Sequence, residues 1–181
     1  LSITQKGIKV KDITSGSGQL SADYSKYQIV NIGDFAMNHM DLLTGYVDLS
    51  KFNGVTSPDY RVFELKEIKS SAQYYLYLMQ MGYRNKIFFG YGQGVATVGR
   101  WRFQTESFNN FPIPYPPHDE QYQITEYLDK QLNKIDQLIE KTQHSIFLLK
   151  EHRTALISAA VTGKIDVRHH AGSNTQHKEV A

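Results

Sequence analysis

The chain has no cysteine among its 181 residues. That excludes disulfides, thiolate metal sites and a thiol nucleophile, and it suits a reducing compartment. No apolar run approaches the roughly 20 residues of a membrane-crossing helix, and no signal peptide is visible. The expectation is a soluble, cytoplasmic protein. Proline is scarce: five residues, four of them at 112–117. There the chain must be extended, and a boundary is expected. Acid is missing from Ile68 to Thr105, a stretch that carries Lys69, Arg84, Lys86, Arg100 and Arg102. Net charge is only +2, so the distribution says more than the total. A local basic stretch fits a phosphate-facing surface, and it also fits charges scattered to solvate a domain.

Catalytic patterns are missing as well. No serine sits in a Gly-x-Ser-x-Gly elbow. There is no Asn/Asp-Pro-Pro-Tyr/Phe and no glycine motif for a methyl donor. Asp59 and Glu64 lack the spacing of an acid/base pair. The reading is a protein that is not an enzyme and holds no cofactor of its own.

What is present is a long periodic segment. Pro116-Pro117 cannot lie inside a helix but can precede one. Asp119, Glu120 and Gln121 place acceptors and negative charge in the first turn. An apolar seam then runs Ile124, Leu128, Ile135, Leu138, Ile139, Ile146, Leu149, Leu156, Ala160. Its steps are mostly three, four or seven, one stripe on a helix. Gly163 ends it as a left-handed cap. Such a helix, over 118–160, is about 65 Å long at a rise of 1.5 Å per residue. A stripe of that length needs a partner helix. Ile124, Leu128, Ile135, Leu138, Ile146, Leu149 and Leu156 are the expected dimer interface.

Residues 1–115 read as an α+β globular domain with one core. Strand-like runs occur at 27–37, where YQIVNI looks buried, and at 42–63. A turn is expected near Gly33-Asp34, and Asn53-Gly54 is a hairpin signal. Ser70–Met81 reads as a helix with Tyr74, Leu78 and Met81 on one face. Residues 82–104 interleave five glycines with aromatic and basic residues. GYGQG lacks the Lys-Ser/Thr of a phosphate loop and the spacing of a dinucleotide fingerprint. The better reading is a loop that approaches DNA. Arg84, Lys86 and Arg100 would meet phosphate or guanine, and Tyr91 and Gln93 base edges or sugars. Arg102 would share a strand face with Arg100, with Trp101 and Phe103 turned to the core. Lys9 and Lys11 would point one way from a strand, and SGSG at 15–18 reads as a flexible connector. Asn38 could pair with adenine or form a turn. His39 has no partner at metal spacing. The tail 169–181, with His169, His170 and His177, reads as polar and unstructured, and no metal site is expected.

PIPYPPHDEQ at 112–121, ITEYLDKQLNKIDQLIE at 124–140 and LLKEHRTALISAAVTGKIDVR at 148–168 resemble the specificity subunit of type I restriction–modification enzymes. IVNIGDFAMNHM at 29–40 and GVTSPDYRVF at 54–63 resemble that family's recognition domain more weakly. The resemblance implies a target-recognition domain at 1–115, a long spacer helix at 116–168 forming an antiparallel coiled coil, and no catalysis. It implies double-stranded DNA as ligand and methyltransferase and restriction subunits as partners. A full-length family member has two heads and two helices. One of each, in a chain beginning at Leu1, suggests a half-subunit that pairs with itself as a homodimer, or a piece of a longer chain. Two other readings remain: a coiled-coil adaptor with a protein-binding head, and a carbohydrate-binding module suggested only by Tyr and Trp content.

Overall fold

The computed structural model describes residues 1–12, 23–94 and 101–168. SGSG at 15–18, Arg100 and the tail from His169 lie outside them. Two compact units are present, and the first runs from Leu1 to Tyr127. It therefore continues beyond residue 115 and takes in the first turns of the long helix. The second begins at Leu128.

Among its described residues the first unit has seven three-residue strands: β1 (Ser2–Thr4), β2 (Gly7–Lys9), β3 (Gln28–Val30), β4 (Phe35–Met37), β5 (Val47–Leu49), β6 (Gly54–Thr56) and β7 (Arg61–Phe63). The described residues then form the helices α1 (Ala72–Arg84), α2 (Ile87–Gly90) and α3 (Thr105–Asn109). The strands form three antiparallel sheets, β1-β2, β3-β6 and β5-β4-β7. With a long helix to follow, the class is α+β.

Strands this short are held by aromatic packing, not by long ladders. All three residues of β4 are buried, at the centre of the largest sheet. Phe35 on β4 pairs in register with Phe63 on β7, and their rings stack at 5.0 Å. Phe88 and Phe103 are buried, 5.1 Å apart, with Phe111 5.1 Å from Phe88. Tyr83 meets Phe88 edge-on at 5.3 Å. At Gly82 the Phe88 ring occupies the space a Cβ would need, so only glycine fits there.

One local expectation holds with an addition, and the structure corrects three others. β3 and β4 flank the turn at Gly33 (φ 96°) as expected, yet they enter different sheets. Asn53-Gly54 is not a hairpin turn. β6 crosses to β3, with Ile29 opposite Val55, and the Asn53 side chain accepts from Ile32 N–H at 3.0 Å. The run YQIVNI is not buried throughout: Val30 is inside while Ile29 and Ile32 are exposed. On α1 the buried residues are Tyr74, Tyr75, Leu76, Met79, Gly82 and Tyr83, while Met81 is exposed. Tyr83 sets that rotation by packing on Phe88 and donating to Asn38 C=O at 2.7 Å.

α4 (His118–Val161) is one helix of 44 residues. Pro117 C=O accepts from Gln121 N–H at 3.0 Å, and Asp119 and Glu120 sit in the first turn. At the other end Gly163 N–H reaches Ala160 C=O (3.2 Å) and Lys164 N–H reaches Ala159 C=O (2.8 Å), with Gly163 at φ 73°. That pair of bonds is a Schellman cap, as the sequence suggested. Among the described residues no helix is long and apolar enough to cross a membrane.

Candidate nucleic-acid interface

The turn 38–46 organises the candidate surface. The Asn38 carboxamide oxygen accepts from Met40 N–H at 3.2 Å, so this residue serves the turn. The oxygen keeps a second lone pair and the amide group its N–H donors. Asp41 accepts from Leu43 N–H (3.0 Å) and Thr44 N–H (3.1 Å) and closes the loop. Gly45 packs where a Cβ would strike the Asn38 and Asp41 carbonyls.

Two groups of polar residues flank this turn. On one side Arg84, in the last turn of α1, is exposed and donates to the Tyr46 hydroxyl at 3.2 Å. Lys86 follows at φ 56°, the one described non-glycine residue in the left-handed region. Such positions cost energy and cluster where function requires them. Tyr91 closes α2, partly exposed, with its ring edge-on to Phe111 at 4.9 Å.

On the other side Gln93 and Arg102 exchange backbone hydrogen bonds at 2.9 and 3.0 Å. Both are exposed, and opposed residues on paired chains present their side chains to the same side. The segment 101–103 is fastened to the turn: Leu42 N–H donates to Trp101 C=O (3.1 Å) and Phe103 N–H to His39 C=O (2.9 Å). Phe103 is fully buried and Trp101 packs on the core, as the alternation implied. The expected Arg100–Arg102 pairing lies outside the described residues because of Arg100.

Sequence reasoning missed Arg61 and set His39 aside. The Arg61 guanidinium lies 4.3 Å over the Phe108 ring and donates through Nη2 to Phe103 C=O and Thr105 Oγ1, both at 3.2 Å. Its Nη1 and the His39 Nδ1 are buried without a hydrogen-bond partner among the described residues. A strand Arg between aromatic and β-branched neighbours was the available signal. Burial, then the positive charges of Arg61 and Arg102, push the His39 pKa below its ordinary 6.5. The folded state therefore binds this proton less readily than the unfolded chain. His39 leaves stability intact above about pH 6.5 and reduces it as pH falls below that value. We expect a lower unfolding midpoint at pH 5.5 than at 7.5, with His39→Gln removing part of that difference. An unchanged pH slope in the variant would exclude this role.

Lys9 lies elsewhere, at the end of the β1-β2 hairpin, which is tied to β5 by Ile8 N–H donating to Asp48 at 3.1 Å, and Lys11 follows two residues beyond it. β2 ends at Lys9, so the two lysines do not share a strand face as expected. Of the expected dimer residues, Ile124 packs against the head's aromatic core and belongs to the first unit. Leu128 opens the second unit. Ile135, Leu138, Ile146, Leu149 and Leu156 are all exposed, by about half to two-thirds.

An α+β head with a polar, cationic rim, continuing into a helix with an exposed apolar stripe, is the build of a recognition module. The family model of the type I restriction modification DNA specificity domain matches residues 5–146. That is more than half of the chain, and the chain belongs to this family. Its role is DNA recognition in a type I restriction–modification system, in a family that is in general non-catalytic and that assembles with modification and restriction subunits. No curated protein and no solved structure matches the chain significantly.

Proposed function

We propose that this chain reads one half of a bipartite DNA site and directs methyltransferase and restriction subunits to it in the cytoplasm. Two copies pair through α4 in an antiparallel coiled coil, and the helix length sets the gap between half-sites. The observation that carries this reading is the apolar stripe of α4, which stays exposed from Ile135 to Leu156 within a DNA-specificity family member. Thr142 and Ser145 lie along the same helix, and their hydroxyls bond back to Leu138 C=O (2.7 Å) and Lys141 C=O (3.0 Å). They enter a seam without needing outside partners. A helix of 44 residues spans about 66 Å, compatible with half-sites separated by two DNA turns or less. A two-fold pair would read an inverted repeat.

The DNA face in this reading includes Arg84, Lys86, Tyr91, Gln93, Arg100 and Arg102, with Lys9 and Lys11 as outlying backbone contacts. Titrating the assembled methyltransferase with target duplex over a salt series tests it. Arg84→Ala and Arg102→Ala should each weaken binding. A phosphate contact loses about one unit of salt slope, and a base contact costs about 1–3 kcal/mol and relaxes one position of the site. Wild-type affinity and slope in both variants would move the DNA face elsewhere.

A further inference from the structure

We propose that Gln121 is a positioning residue for spacing: it clamps the first turns of α4 to the start of α1 and so fixes how far apart two half-sites are read. The inference rests on the bipartite reading above and adds the device that makes the spacing definite.

Gln121 is fully buried, although glutamine is a residue type that usually faces water. A buried carboxamide persists only when its donors and acceptor are used. Here they are. Its Oε1 accepts from Ser71 N–H at 3.0 Å, and its Nε2 donates to Pro116 C=O at 2.9 Å. One turn later Thr125, also buried, bonds to Gln121 C=O at 2.8 Å and lies 3.3 Å from the Ser71 hydroxyl. Ser71 is the N-cap of α1, its hydroxyl accepting from Tyr74 N–H at 3.2 Å. The beginnings of two helices thus share one polar network inside the head.

An outer clasp surrounds it. Glu67 accepts from the Tyr115 hydroxyl and lies 2.9 Å from His118 Nε2. Glu67 and Tyr115 are exposed and His118 partly so, and such surface contacts are weak. The buried network is the directional part. Apolar contacts such as Ile124 on the core allow a helix to slide or roll; the hydrogen bonds of Gln121 do not. The leverage is large. From Gln121 to Leu156 the helix covers about 50 Å at 1.5 Å per residue. A tilt of roughly 5° at the clamp moves the far end by about 4 Å, more than the 3.4 Å between neighbouring bases on a strand.

The test maps methylated sites in cells carrying the methyltransferase with wild-type or variant chain. Gln121→Met keeps the side-chain length and removes both hydrogen bonds. The expected result is unchanged half-site bases, with methylation now also at sites whose spacer differs by one base pair. Thr125→Val should act the same way more weakly, and it decides the matter if Gln121→Met does not fold. Val47→Ala destabilises the sheet away from the clamp; it should lower methylation without adding a spacing. If folded Gln121→Met and Thr125→Val both methylate only the wild-type spacing, the clamp does not position the helix. A wild-type chain that directs no bipartite methylation would instead remove the reading on which the inference stands.

Discussion

Leu149→Glu should split the proposed homodimer. Leu149 lies mid-stripe on α4, exposed in the single chain. In a paired seam its glutamate would be taken from water with no partner. Burying an uncompensated charge costs several kcal/mol, and two-fold symmetry imposes the cost twice. About 3 kcal/mol in total already weakens association more than 100-fold. Light scattering should then report the single-chain mass of 20.7 kDa at concentrations where wild type gives twice that. Leu128→Glu provides a second trial at the start of the second unit. The helix itself should persist, because glutamate is a good helix former. Unchanged dimers in both variants would end the self-pairing account of α4 and favour the adaptor or mixed-subunit readings.

Phe103→Ala should produce the largest loss of head stability. The ring is fully buried, 5.1 Å from Phe88, 5.6 Å from Phe108 and 5.7 Å from Phe111. Removing such a ring typically costs about 3–5 kcal/mol, a large part of a domain's usual 5–15. The effect reaches the interface, because Phe103 N–H holds His39 C=O and Phe103 C=O holds Arg61. We expect a markedly lower denaturant midpoint and, in the folded fraction, weaker DNA binding. A shift below about 1 kcal/mol would mean the cavity collapses freely and the aromatic cluster is not the head's keystone.

The long helix was legible because its signals are local. Pro117, the acidic first turn, the apolar steps and Gly163 each act within a few residues, and both ends fall within a residue of expectation. The sheets were not legible. Three-residue strands carry too little pattern to announce partners, and Ile29–Val55 pairing depends on chain crossings that no local rule describes. Asn53-Gly54 shows the cost: its turn chemistry serves a bond to Ile32, not a hairpin. At the site, Phe103 and Trp101 followed from alternation, whereas Arg61 did not. Its role comes from Phe108 and Phe103, more than forty residues away. Gln121 was placed in the first turn as a favourable acceptor. Only the packing of α1 turns that acceptor into a buried clamp.

The most direct measurement is mapping of DNA methylation by single-molecule sequencing, in cells with and without this gene, beside an active type I methyltransferase. The account predicts a bipartite palindrome methylated only when the gene is present. An asymmetric bipartite site would contradict self-pairing, and the absence of any gene-dependent motif would contradict the recognition role itself.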